Sequence, residues 1–227
     1  MTIHKTAPGA EAHGELALHS QSAPVHEVPM RIWHWVNAFA ILALALTGYL
    51  IGSPLPSVPG EASANFVMGY IRFVHFAAGQ ILAVFLILRV YLAFVGNAHA
   101  RQIFYVPFWS GLFWGQWLQE VRGYSYLARQ PKKYAGHNPL AQLTMFVMFT
   151  LPLFFMVITG FALYSEGTGR DSWQYALFGW VSSIWPNSQD IHSYHHLGMW
   201  VILVFVMVHI YVAAREHIIS RRGSSRR

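Results

Sequence analysis

The sequence predicts an all-α integral membrane protein, a bundle of four transmembrane helices. Three observations lead there. Only 11% of the 227 residues are charged while 55% are hydrophobic, against roughly 25% charged in a soluble domain. Four apolar runs reach the roughly 20 residues that a helix needs to cross a bilayer. The runs are continuous rather than alternating, which separates them from the strands of a membrane barrel.

Residues 1–27 (MTIHKTAPGAEAHGELALHSQSAPVHE) contain no apolar stretch and are not a signal peptide. Their Ala, Ser, Gly and Pro read as a disordered tail, in which His4, His13, His19 and His26 have no metal-ligand spacing. The membrane domain covers 28–219, with spans expected at 32–51, 73–95, 140–163 and 194–214, and a basic tail follows at 220–227. The connection over 96–139 is rich in Trp, Phe and Tyr and reads as a segment lying in the interface. The connection before the fourth span carries Glu166, Asp171 and Asp190 around a short interfacial helix. Pro152 should bend the third span, because it removes a backbone donor and its ring clashes with the preceding turn. No repeat of fixed period is visible.

Of the 15 Lys and Arg residues, only Arg72 and Arg170 fall on the side opposite the termini. Positive residues stay inside, so both termini are expected in the cytoplasm. The net charge of +6 then follows from topology and needs no nucleic-acid partner. The absence of cysteine excludes disulfides, thiolate-held iron–sulfur clusters and thioether-attached haem in this chain.

Ionisable residues inside a span are costly, so each needs a reason. His34 lies at the cytoplasmic end of the first span and His75 at the outer end of the second. The stretch HSYHHLGMWVILVFVMVH places His192, His195 and His196 near the outer face and His209 near the inner one. By depth, His34 meets His209, and His75 meets a member of the outer cluster. A helix turns about 100° per residue, so His195 and His209 lie about 40° apart, whereas His196 lies roughly 140° from His209. His195 is therefore the expected partner, with His196 facing elsewhere and His192 preceding the helix. The rise per residue separates the two levels by roughly 21 Å, so two centres are required.

Each level supplies two imidazoles from different helices. Zinc normally takes three or four protein ligands. Haem takes two axial ligands, for which imidazole is standard, and its apolar ring suits a bundle interior. Gly48, Gly79 and Gly198 would leave room for it. Arg72, three residues before His75, runs against the positive-inside trend and suits a propionate. Arg31 and Arg89 suit the same role at the inner level, or are anchors that snorkel.

The motifs RIWHW, GSPLPSVPGEA, MGYIRFVHFAAG, RVYLAFVGN, GHNPLAQ, ITGFALYSE, DIHSYHHLGMW and VHIYVAAREHI stand in one order over about residues 26–219. In this the chain resembles the b-type cytochrome subunit of membrane-bound uptake nickel–iron hydrogenases, a di-haem family related to the cytochrome b subunits of formate dehydrogenases. The resemblance implies a multi-pass protein of the bacterial inner membrane, set among lipid. It implies that the chain anchors a periplasmic hydrogenase, made of an iron–sulfur small subunit and a large subunit. It also implies that electrons pass through two haems b to quinone, with quinone reduction on this subunit. By position, His75 and His195 would hold the periplasmic haem, and His34 and His209 the cytoplasmic one. Quinone would bind beside the start of the third span, with His137, Asn138 and Gln142 as candidates, although Asn138 and Pro139 also read as a helix start. Contact with the hydrogenase is expected at the periplasmic connections and REHIISRR. Two other readings stay open: a cytochrome b serving another periplasmic dehydrogenase, such as formate dehydrogenase, and a haem-free anchor or transporter. The inverted repeats and broken helices common in transporters are not visible.

Overall fold

The structure is a computed structural model that describes residues 27–56, 60, 65–95, 104, 106–124 and 138–224. The tail expected over 1–27 lies outside them except for Glu27, as do His137 and residues 225–227. The described residues form helices and no strand. They are α1 (Glu27–Gly52), α2 (Val67–Val95), α3 (Gly111–Tyr124), α4 (Pro139–Thr168), α5 (Trp173–Phe178), α6 (Trp180–Ile184) and α7 (Ser188–Ser224). Four of them, α1, α2, α4 and α7, are long and apolar enough to cross a membrane.

The helices outrun the apolar stretches, because capping rather than hydropathy sets their ends. The helix α7 begins at Ser188, where the Asn187 side chain accepts from the Gln189 N–H and Asp190 stands in the first turn. His192 is therefore inside α7, not before it. Asn138 caps α4: its Oδ1 accepts from the Leu140 N–H at 2.8 Å, with Pro139 following. Its Nδ2 donates to Glu120 at 2.7 Å, which ties α3 to the start of α4. Ser172 caps α5 through the Tyr175 N–H.

Pro152 lacks the N–H that would continue α4, and the helix takes a π-helical turn over Phe146–Thr150 just before it. There the Leu151 N–H reaches back to the Phe146 carbonyl, and Thr150 Oγ1 donates to the Met145 carbonyl at 3.2 Å.

The packing is two hairpins. The helix α1 lies along α2 and α4 lies along α7, while the two pairs touch each other less. Leu82, Leu86 and Leu153 close the middle of the bundle, with Ile41, Leu44 and Phe149 around them. At one end α6 folds back so that Val181 is fully buried against Ala162 and Ile191. The large apolar side chains left exposed, such as Phe39, Phe73, Ile87 and Phe94, suit a hydrocarbon solvent. Trp109, 96% exposed just before α3, and Leu112 at its start suit an interface.

A Cβ on Gly198 would lie 2.6 Å from Met156 Sδ and 3.6 Å from Phe155 Cδ1. Its missing side chain lets α4 and α7 close, and it does not line the cavity described below. The expectation that Gly198 makes room for a cofactor is corrected here: the residue faces the neighbouring helix. Gly198→Leu should overpack this seam at a cost of about 1–3 kcal/mol. The expected result is a lower melting temperature in detergent with unchanged helical circular dichroism before melting.

Candidate functional site

The bundle brings four histidines together as two pairs at two depths. His75 of α2 and His195 of α7 face each other with ring centroids 6.4 Å apart. His34 of α1 and His209 of α7 lie 6.3 Å apart at the other level. An imidazole nitrogen sits about 2 Å from a first-row metal ion, so an ion shared by two opposed rings places their centroids roughly 6 Å apart. Both pairs meet that spacing. Among the described residues no group of three or more His, Cys, Asp or Glu converges, so each level offers a two-imidazole set.

The His75–His195 level opens into a cavity of about 780 Å³ between the two hairpins, within the usual size of small-molecule and cofactor sites. Its walls are mostly apolar. Gly48 and Gly160 lie against the histidines: a Cβ on either would meet a ring carbon at 3.2 Å. Gly79 also lines the cavity, more loosely, 3.8 Å from Leu44. Arg72, exposed, stands at the rim.

Both rings are gripped on Nδ1. Thr47 Oγ1 lies 2.9 Å from His75 Nδ1, and Thr159 Oγ1 lies 2.8 Å from His195 Nδ1. Neither threonine, nor Gly160, is signalled by the sequence reading. A hydroxyl within a span reads as bonded to its own helix, and only the neighbouring helix reveals its second contact.

His196 departs from the expected direction. Its ring does not pair with another imidazole, yet it lines the same cavity, about 3.5 Å from where a Cβ on Gly52 would stand. Its Nε2 is buried without a partner. The cavity reaches from α1 to α4, so its mouth takes in two side chains of α7 that are about 100° apart. His192 also lines the mouth, with its Nδ1 2.9 Å from the Ser188 carbonyl.

The His34–His209 level is more open. Both residues are exposed, His34 edge-on to Trp35 and His209 stacked on Phe205. Next to it Arg89 is only 5% exposed, its guanidinium 5.5 Å from the Trp33 ring centre, and its Nε and Nη1 have no partner. The side chain does not snorkel; it is a buried cation beside the His34–His209 pair. Arg31 stands at the start of α1, three residues before His34.

Paired imidazoles, an apolar cavity with glycines against the rings, and an orphaned buried cation fit a haem with its carboxylates. The sequence profile described as prokaryotic cytochrome b561 matches residues 25–227. The chain belongs to the prokaryotic cytochrome b561 family. The family implies b-type haem, and with four apolar spans the chain is a multi-pass protein of the bacterial inner membrane. The resemblance carried by the motifs is borne out by the relatives as well. The chain is 79% identical over 223 residues to a "Probable Ni/Fe-hydrogenase B-type cytochrome subunit" of Rhizobium leguminosarum bv. viciae, covering 98% of this chain and 93% of that one. A Bradyrhizobium diazoefficiens protein of the same description is 63% identical, covering 96% and 88%. The "Probable Ni/Fe-hydrogenase 1 B-type cytochrome subunit" of Escherichia coli K12 is 49% identical, covering 86% and 84%.

Within this family the orphaned guanidinium of Arg89 generates a test. An unpaired buried cation costs energy, and an apolar side chain of similar volume removes the cost. Arg89→Met should therefore leave the haem-depleted protein as stable as the parent or more so, by thermal melting, while haem per chain falls. A variant with full haem content would show that Arg89 holds no part of the cofactor.

Proposed function

We propose that the chain is the membrane anchor and electron-transfer subunit of a periplasmic nickel–iron hydrogenase, carrying electrons through two b-type haems to the quinone pool. The observation that carries this reading is the pairing of four histidines at two depths with centroid spacings of 6.4 and 6.3 Å. The naming of the relatives as nickel–iron hydrogenase cytochrome subunits supports the choice of partner.

In this reading His75 and His195 hold a haem on the periplasmic side, next to the partner's iron–sulfur small subunit, and His34 and His209 hold one on the cytoplasmic side. Both termini are then cytoplasmic, as the distribution of Lys and Arg suggests. When bound, the haem irons supply one-electron redox chemistry that no side chain of this protein offers. The residues bind, orient and shield. The histidines fix the ring planes, the glycines admit the macrocycle, and Arg72, Arg31 and Arg89 neutralise carboxylates. The apolar plug of Leu82, Leu86 and Leu153 lies between the levels and excludes water.

Quinone would bind beside the start of α4, near Gln142 and the Asn138–Glu120 pair, with His137 just before it in the sequence. Asn138 already uses its carbonyl on the helix and one amide N–H on Glu120, which leaves its second amide N–H as the donor a quinone oxygen would take. Proton uptake there from the cytoplasm, with hydrogen oxidised outside, would build a gradient.

Haem quantitation on the purified protein should return two haems per chain, with one lost from His195→Ala or His209→Ala and none from His196→Ala. His209→Ala should abolish hydrogen-dependent quinone reduction while dye-linked hydrogen oxidation by the partner stays intact. Undiminished quinone reduction in that variant would remove the conduit role.

A further inference from the structure

The cavity histidines are held by one device used twice. It is the dipeptide Thr47–Gly48 in LTGY on α1, and Thr159–Gly160 in ITGF on α4. Each serves the histidine on the other long helix of its own hairpin. Thr47 Oγ1 lies 2.6 Å from the Ala43 carbonyl and 2.9 Å from His75 Nδ1. Thr159 Oγ1 lies 2.7 Å from the Phe155 carbonyl and 2.8 Å from His195 Nδ1. In both, the glycine that follows lets the ring lie against the helix, and the ring atom a Cβ would meet is Cε1, at 3.2 Å in each case.

Counting protons fixes the direction of these bonds. A threonine hydroxyl has one proton and two lone pairs, and a carbonyl can only accept. The short contacts to Ala43 and Phe155 therefore take the hydroxyl proton. The remaining contact is then donated by the imidazole, from Nδ1–H to Oγ1, and at His75 the Leu44 carbonyl is a further acceptor for the ring. In a neutral imidazole that is the ring's single N–H, so Nε2 is left with a free lone pair. Two rings held this way present lone pairs rather than protons for coordination. At the other level the ring neighbours of His34 and His209 are the aromatic Trp35 and Phe205.

We propose that Thr47 and Thr159 are positioning residues for the haem of this cavity. They fix the Nδ1–H tautomer of both axial histidines and, by accepting that proton's hydrogen bond, strengthen each ring as a donor to iron. A stronger donor favours the ferric state, so the pair lowers the reduction potential of this centre. The inference rests on the haem-binding reading above.

The test is a redox titration of the purified holoprotein, followed in the haem absorption bands and by low-temperature electron paramagnetic resonance. The variants are Thr47→Val, Thr159→Val and the corresponding serines. Valine keeps the shape and removes the hydroxyl. Each valine variant should keep two haems and move one of the two midpoint potentials upward, by the order of a tenfold change in the ferric–ferrous equilibrium, about 59 mV for one electron. The other potential should stay in place, and Thr→Ser should restore the first. Unmoved potentials in haem-replete valine variants would overturn the proposal, as would serine variants that behave like valine. If a valine variant sheds its haem, the serine variant decides: a retained haem at the parent potential supports the role, and a shed haem overturns it. A parent protein with no haem would instead bring down the functional reading itself.

Discussion

A polar atom in the hydrocarbon layer has no water to turn to, so it must find a partner inside the protein or cost several kcal/mol. The rest of this bundle is arranged around that constraint. Several imidazoles and the Arg89 guanidinium lie within the spans, and they are met in different ways. His75 and His195 each have Nδ1 within hydrogen-bond distance of a threonine hydroxyl, and their rings lie 6.4 Å apart across the cavity. Arg89 is buried over the Trp33 ring with two nitrogens unmet.

The two levels therefore differ in how far they are prepared before a cofactor binds. At the cavity, glycine and threonine on α1 and α4 define ring position, tautomer and the space between the hairpins. At the other level the histidines are exposed and held by ring contacts, with Phe205 stacked between Phe149 and His209. In the proposed reading, a haem entering the first site would find its ligands already positioned. One entering the second would have to order part of its own surroundings, at a cost in side-chain entropy.

The short helices between α4 and α7 belong to the same economy. Phe161, on the cavity wall, stacks on Phe178 at 5.1 Å and lies 5.7 Å from Trp173. The α5–α6 cap is thus locked to the wall of the cavity, while Trp173, Leu177, Trp180 and Ile184 remain exposed on it. The end of the bundle that holds the prepared site is closed by packed aromatics rather than by a loose loop.

Much of this could be read from residues in order. Hydrophobic length is a local property, so four spans and an all-helical membrane class follow from composition and run length. Helical period is local too, which is why His195 and His209 could be set on one face of α7 from their spacing alone. Matching the depth of His34 to His209, and that of His75 to the cluster holding His195, needed only the direction of each span. Side-chain direction between helices is not local. Gly198 and Gly160 look alike in the sequence, but only Gly160 faces a histidine; Gly198 faces Met156. His196 could be given an angle, but not the width of the cavity that brings it to the same mouth as His195. Arg89 could have snorkelled, and packing over Trp33 keeps it inside. Thr47 and Thr159 bond to their own helices as any such threonine does, and nothing along the chain shows where the remaining lone pair points. The sequence by itself determined the number of spans and the relative depth of each histidine along them. The packing of α1 on α2 and of α4 on α7 decided which polar atoms meet, because a hydrogen bond between helices depends on relative rotation and approach that no single segment encodes.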